Sequence, residues 1–423
     1  MSYQHPSTPS QAEAFSEASW KKILAKAYLL PGNLVAVIGE GRNEIAARLT
    51  PLVRRIYVLD PETSAQSANQ SSNKLEQLAY TGFPLPLPEE SVDIVFASNF
   101  LNEHPIESLQ ELGRVLVPGG RLVILENCPP KPDQFRTWFQ EADLVNLITR
   151  RLDASGQGMA TGTRRIRMSD AVQEAYGNRV KQSTGCCGGS SSSQSCCSSD
   201  GYLPTQNMLF STGYSSEEVS LVPTDAAEIA LGCGNPTALA NLVPGEVVLD
   251  IGSGGGMDAF LAAQKVGQSG RVIGVDMTPA MLGRARSTAR KAGITNVEFR
   301  RGHAEQLPVE DHSVDVIFSN CVINLCEDKG QVFLEAYRVL KPGGRLEVSD
   351  VVMDQSIPVE LRLNHDEWAG CVSGALPETE YLDLIREAGF IQVSVVRTTS
   401  SGWLGKAQVY SALVSARKPA QSG

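Results

Sequence analysis

Two sets of residues in the C-terminal half of this 423-residue chain are of types and spacings that can do chemistry. The first is Asp250-Ile-Gly252-Ser-Gly254-Gly-Gly256, followed by an acid, Asp276, 20 residues past Gly256. Glycines at a strand-to-helix turn let backbone approach a ligand closely, and the helix N-terminus attracts a carboxylate or phosphate. An acid closing the next strand can accept both hydroxyls of a ribose. The second set is three cysteines: Cys233 in Leu231-Gly-Cys-Gly-Asn-Pro236, Cys321 in Phe318-Ser-Asn-Cys-Val-Ile-Asn324, and Cys371 in Trp368-Ala-Gly-Cys-Val-Ser-Gly-Ala375. Thiolates bind soft ions, although any single cysteine is more often a small buried hydrophobe. Two adjacent pairs, Cys186-Cys187 and Cys196-Cys197, lie in a Ser-rich stretch and suit either thiol–disulfide chemistry or a spectator linker. The odd total of nine cysteines, with no secretory leader pattern, fits metal-binding or redox use better than a disulfide framework.

The elements that must position these residues are short β-branched runs alternating with helical stretches, which imply βαβ units and a parallel sheet. Glu246 to Ile251 reads as a strand and Met257 to Lys265 as its helix. Arg271 to Val275 is the next strand, Pro279 to Ala292 the next helix. Cys321 closes the fourth strand, at the sheet edge where ligands of such folds bind. The whole pattern occurs twice. Ser91-Val-Asp-Ile-Val-Phe96 and Val115-Leu-Val-Pro-Gly-Gly-Arg-Leu122 parallel Ser313-Val-Asp-Val-Ile-Phe318 and Val339-Leu-Lys-Pro-Gly-Gly-Arg-Leu346. Val35 to Gly41 likewise parallels Val248 to Gly254, and Asp60 parallels Asp276. The reading is α/β, two Rossmann-like domains in tandem, each a mostly parallel doubly wound sheet: residues 1–150, a linker over 151–212, and 213–415. The first copy has Val37 in place of Asp250, Arg42-Asn43 in place of Gly255-Gly256, and Ser98-Asn99 in place of Asn320-Cys321. It is expected to have lost catalysis; weak ligand binding through Gly39, Gly41 and Asp60 is the alternative.

The net charge of −10 and the lack of a basic block argue against nucleic acid and against an anionic membrane surface. No apolar run approaches the roughly 20 residues of a bilayer span, and the polar N-terminus has no signal pattern. A cytoplasmic protein is expected.

Asp-x-Gly-x-Gly-x-Gly, together with Gly302-His-Ala-Glu305, Asp315 to Asn320 and Leu340-Lys-Pro-Gly-Gly-Arg345, resembles the ordered motifs of class I methyltransferases. The resemblance implies S-adenosylmethionine as cofactor from about residue 169 onward. Asp276 would hold the ribose, Ala304-Glu305 would border the adenine, and the loop of Asp250, Gly252, Gly254 and Gly256 would meet the methionine end. Over residues 169–415 the chain further resembles bacterial arsenite methyltransferases, through Gly213-Tyr-Ser, Leu231-Gly-Cys-Gly-Asn-Pro-Thr-Ala238, Val275-Asp-Met277-Thr, Ser319-Asn320-Cys-Val-Ile-Asn-Leu325 and Gly370-Cys-Val-Ser-Gly-Ala-Leu376. Tyr176-Gly177 followed by Cys186-Cys187 is characteristic of that family as well. In it, three cysteines at the positions of Cys233, Cys321 and Cys371 bind trivalent arsenic. Arsenite and methylarsenite would be substrates, and a thiol reductant, thioredoxin or glutathione, would restore the enzyme. Asp250, Met277 and Asn320 join the cofactor-binding set on the same grounds, and the linker cysteines take a redox or handover role. A methyltransferase for a small organic acceptor and a non-catalytic thiol-rich arsenic-binding protein are the competing readings. Retained turnover in cysteine variants would favour the first, and absence of cofactor consumption the second.

Overall fold

The structure, a computed structural model, describes residues 15–61, 73–101, 104–183, 213–227, 234–363, 368 and 372–420. It divides into two compact units, Met1–Ile166 with Ser356–Leu363, and Arg167–Gln355 with Asn364–Gly423.

The first unit runs α1 (Glu17–Ala27), β1 (Leu34–Gly39), α2 (Arg42–Leu49), β2 (Arg55–Pro61), β3 (Leu75–Tyr80), β4 (Val92–Ser98), α3 (Pro105–Val115), β5 (Leu116–Glu126), α4 (Pro132–Glu141), β6 (Leu144–Arg151) and β7 (Gly158–Arg164). Its strands form one sheet in the order β3-β2-β1-β4-β5-β7-β6. Only β7 runs against its neighbours. Alternate residues of β1 reach different cores. Val35 and Val37 pack with Trp20, Ile45 and Leu49 of α1 and α2. Ala36 and Ile38 pack with Leu112 and Phe139 of α3 and α4. With helices on both faces, every side chain of β1 is buried apart from its ends, and the strand reads as an unbroken apolar run.

The second unit runs α5 (Ser169–Ser183), α6 (Ser216–Leu221), α7 (Thr224–Ala227), α8 (Pro236–Leu239), β8 (Val247–Ile251), α9 (Met257–Val266), β9 (Arg271–Asp276), α10 (Pro279–Ala292), β10 (Val297–Arg301), β11 (Val314–Asn320), α11 (Lys329–Val339) and β12 (Leu340–Met353). After α12 (Val359–Arg362), which falls in the first unit, come α13 (Glu378–Glu387), β13 (Ile391–Leu404) and β14 (Ala407–Arg417). The sheet order, β10-β9-β8-β11-β12-β14-β13, repeats that of the first unit strand for strand.

The expected tandem of mostly parallel doubly wound sheets is what the chain adopts. The boundaries differ in detail. The first unit continues past residue 150 because β7 must insert between β5 and β6 to complete the sheet. The segment expected as linker begins with the helix α5, and the last strand reaches Arg417. No helix among the described residues is long and apolar enough to cross a membrane.

The duplication extends to a buried acid on the fifth strand of each sheet in sheet order. Ser98 pairs with Leu125 and Asn320 with Ser349, so Glu126 and Asp350 occupy matching positions. Burial pushes Glu126 up to about 8 and Asp350 up to about 7, against backbone N–H groups that favour the ionised form. A carboxyl whose folded pKa is raised binds a proton that the unfolded chain has already lost. Stability therefore falls as pH rises above the ordinary carboxylate range, and the loss levels off above about 7 for Asp350 and about 8 for Glu126. Each pH unit of mismatch is about 1.4 kcal/mol. Denaturant midpoints of Asp350→Asn and Glu126→Gln, measured against wild type from acid to mildly alkaline pH, should fall less steeply through that window. Parallel curves would show that these groups are not protonated in the folded chain.

Candidate active site

Strand β8 lies between β9 and β11, where the strand order reverses, so a crevice opens beyond its C-terminal end. Asp250, Gly252 and Gly254 from the turn after β8, Asp276 and Met277 after β9, and Ala304 and Glu305 after β10 line one pocket there. Asn320 and Cys321, at the end of β11, line the same pocket. Gly252 has φ +76, and a Cβ on it would fall 2.2 Å from the side chain of Val322, so only glycine lets the loop pack against the residue after Cys321. Gly256 is not among the lining residues. A Cβ there would sit 2.8 Å from the Phe299 ring, so its work is to bring α9 onto the sheet.

Asp276 is held from below by two amides, Gly254 N–H to Oδ2 at 2.9 Å and Thr278 N–H to Oδ1 at 2.8 Å. Burial raises its pKa, and those bonds oppose the rise. Asp250 is buried, and its Oδ2 has no hydrogen-bond partner. Burial, then the charges of Asp258 and Asp276, push its carboxyl well above the usual range.

Several contributors escape a sequence reading. The Tyr214 hydroxyl donates to Asp258 Oδ1 at 2.6 Å, and Asn320 Nδ2 donates to the Tyr214 oxygen at 3.0 Å, to Gly234 O at 2.8 Å and to Asp258 Oδ2 at 3.1 Å. Asn320 thus ties together four segments far apart in sequence. Asp258 sits in the first turn of α9, where an acid is common for its interaction with the helix dipole alone, so its type gave no signal. Ser169, Val172 and Tyr176 of α5 also line the pocket, Tyr176 packing on Met281. Glu327 fixes this helix: its Oε1 accepts Met168 N–H at 2.7 Å and Ser169 N–H at 3.0 Å, while its own N–H donates to Glu305 at 3.1 Å.

Cys321 has φ +56, its N–H donates to Ser349 O at 2.8 Å, and its sulfur is disulfide-bonded. Cys326 also lines the pocket; burial and then Glu305 raise its thiol well above its ordinary value. Cys233, Cys371 and the linker residues Cys186, Cys187, Cys196 and Cys197 lie outside the described residues.

The corresponding place in the first unit is built differently. Matching registers put Val37 opposite Phe96 as Asp250 is opposite Phe318, so the sequence alignment of the two loops holds in space. Arg42 Nε pairs with Asp60 Oδ1, and Arg42 Nη1 donates to Gly39 O at 3.1 Å. Tyr80, one residue past the position matching Arg301, stands where the second unit has Gly302. Burial raises its pKa, and both Arg42 and Asp60 are close enough to act on it. An arginine, an ion-paired acid and a tyrosine thus fill the place of the glycine loop, the open acid and a glycine. Asn99, in place of Cys321, spends its side chain on Glu40 and on Asn127 N–H.

Residues 242–389 match a methyltransferase-domain family, and residues 37–124 match a second methyltransferase-domain family. An arsenite methyltransferase of Halobacterium salinarum is 43% identical over 266 residues, which is 60% of this chain and 67% of that protein. The chain belongs to the arsenite methyltransferase family. Other members include those of Aquipseudomonas alcaligenes, 42% identical over 43% of this chain and 56% of its own length, and of Homo sapiens, 41% identical over 38% and 46%. The chain therefore spans about half the length of these two relatives. A crystal structure of an arsenic(III) S-adenosylmethionine methyltransferase from Chlamydomonas reinhardtii is 37% identical, covering 49% of this chain and 74% of its own, with a TM-score of 0.44.

A family member with one open and one filled crevice should bind one cofactor per chain. Asp276→Ala should weaken cofactor binding by about 2 kcal/mol or more, the usual size for hydrogen bonds to a charged group. Asp60→Ala should leave binding unchanged. Titration calorimetry that finds two sites, or a weakened Asp60 variant, overturns the assignment to the second unit alone.

Proposed function

We propose that the second unit transfers methyl groups from S-adenosylmethionine to trivalent arsenic held by the thiolates of Cys233, Cys321 and Cys371. The observation that carries this reading is Cys321 lining the same pocket as the glycine loop and Asp276. Described neighbours of the other two cysteines reach the same turn. Gly234 accepts from Asn320, and the Trp368 indole N–H donates to Leu325 O at 3.3 Å.

The residues present fit the cofactor. Asp276 keeps lone pairs for two ribose hydroxyls, the glycine loop presents close backbone, and the buried Asp250 oxygen without a hydrogen-bond partner would suit a ligand bearing positive charge. Bound there, S-adenosylmethionine supplies an electrophilic methyl group. Three sulfurs hold arsenic as a trigonal pyramid with its lone pair directed away from them. Oriented toward the methyl carbon, that lone pair would form the As–C bond as the C–S bond broke, the electron pair leaving with the thioether. No general base takes part, and the protein contributes chiefly position. Arsenic passes formally from trivalent to pentavalent. Two thiols oxidised to a disulfide return the two electrons.

Cys321 is already disulfide-bonded in this structure, so its sulfur needs a thiol reductant before it can take arsenic. Cys186, Cys187, Cys196 and Cys197 serve that exchange or hand arsenic to the pocket, with thioredoxin or glutathione as the external reductant. The setting is cytoplasmic, where such reductants are abundant.

The test is incubation with cofactor, arsenite and a thiol, followed by separation of arsenic species. Cys321→Ser and Cys371→Ser should lose roughly 100-fold or more on both arsenite and methylarsenite, the scale of a misplaced reacting atom. Cys233→Ser should lose activity on arsenite and keep appreciable activity on methylarsenite, which needs only two thiolates. Full arsenite turnover by the Cys321 or Cys371 variant would mean that the thiolate pocket is not the acceptor site. Replacing the four linker cysteines with Ser should spare a single turnover and slow repeated ones.

A further inference from the structure

The charge of the pocket is unbalanced. Asp250, Asp258, Asp276, Glu305 and Glu327 line it, and no lysine or arginine does among the described residues. Within it, Asp250 is 2% exposed with an oxygen lacking any hydrogen-bond partner, next to a second carboxyl, Asp258, that is fully engaged by Tyr214 and Asn320. Asp258, on α9, is faced by Tyr214 ahead of α6, Asn320 on β11, Glu218 on α6 and Lys265 on its own helix. Asp250, on β8, is faced by Asp258 and by Asp276 on β9. Two carboxylates buried side by side repel each other, which favours one of them protonated where no cation lies beside them. Burial holds both above the ordinary carboxylate range, helped at Asp250 by the charges of Asp258 and Asp276 and at Asp258 by that of Glu218.

The ligands of the proposed reaction differ in one charge. The cofactor carries an ammonium, a carboxylate and a sulfonium, net +1; the thioether product has lost the sulfonium and is net neutral. A cation placed among carboxylates favours their ionised forms, whereas a neutral ligand does not. Resting on the cofactor assignment above, we propose that Asp250 and Asp258 act as a proton-exchanging pair that selects the sulfonium cofactor over its thioether product. The pair releases a proton to solvent when the cofactor binds and takes one back when the product remains. The sign follows from linkage: a group whose pKa falls on binding makes affinity rise with pH until the pH reaches its value in the free protein. Methyl transfer then weakens the hold on the spent cofactor without any movement of the chain.

The experiment is titration calorimetry of the reduced full-length protein with S-adenosylmethionine and, separately, with S-adenosylhomocysteine, in buffers of differing ionisation enthalpy between about pH 5.5 and 7. Cofactor binding should release a net fraction of a proton, and its affinity should climb with pH by up to about tenfold per unit, the limit for one exchanged proton. Product binding should release none, with a flat affinity. Asp258→Asn should flatten the cofactor slope and narrow the preference for cofactor over product. His303 also lines the pocket, and His303→Gln should keep the slope. Equal slopes for the two ligands, or a slope lost with His303, overturn the inference even if the asparagine variant fails to fold. Cofactor binding with no proton exchange overturns it alone. No cofactor binding at all overturns the assignment of S-adenosylmethionine as well, and absent arsenite turnover with the predicted slopes leaves the inference standing.

Discussion

A slip of one residue between β8 and either neighbour would turn Asp250 to the other face of the sheet and carry the glycine loop out of reach of Asp276. The pairings of Asp250 with Gly274 and of Phe318 with Asp250 prevent it, and everything chemical in the second unit hangs from them. They bring the loop, Asp276 and the end of β11, just before Cys321, to one edge. Asp315 reinforces the register, its Oδ2 accepting Val247 N–H at 2.9 Å while Lys341 pairs with both its oxygens. In the first unit Asp93 accepts Leu34 N–H at 2.7 Å in the same way, so the ladder was kept where the chemistry was not.

The two crevices show how little change converts an open site into a filled one. Arg42 places a permanent guanidinium against Asp60, in a geometry that no ligand hydroxyl can displace cheaply. Tyr80 adds bulk beside it, and Val37 removes the buried acid. In the second unit the same positions are Gly255, Asp276, Gly302 and Asp250, and the positive charge has to come from outside. The opposing logic of the pair, one crevice neutralised from within and one left acidic, argues that the first unit is kept for its fold rather than for a second round of the same reaction.

Much of this was legible in the sequence because it rests on local patterns. The glycine turn, the acid after β9, the strand ending in Cys321 and the duplication all announce themselves by residue type at fixed spacing. Even the loop alignment, Val37 with Asp250, survives comparison by hydrogen-bond register. What could not be read depends on long-range convergence. Tyr214 lies 44 residues from the aspartate it bonds and 106 from the asparagine. Helix α5 becomes a pocket wall only because Glu327, 158 residues further on, caps its first amides. Strand β7, inside the sheet between β5 and β6, was missed for a different reason. Its sequence, Gly-Met-Ala-Thr-Gly-Thr-Arg, is poor in the β-branched and aromatic types that mark strands, and partners on both sides impose its conformation.

The Arg42–Asp60 pair sets the two halves under different regimes of protein turnover. A ligand that binds only the folded state adds to stability in proportion to its occupancy, so the second unit is firmest when cofactor is plentiful. The first unit carries its counter-charge in its own sequence and gains nothing from supply. In a cell starved of sulfur metabolites, local opening and proteolytic attack would concentrate in the acidic crevice, while the half with the internal arginine persists. With cofactor bound to the second unit alone, the stability of that unit would vary with cofactor supply and that of the first would not.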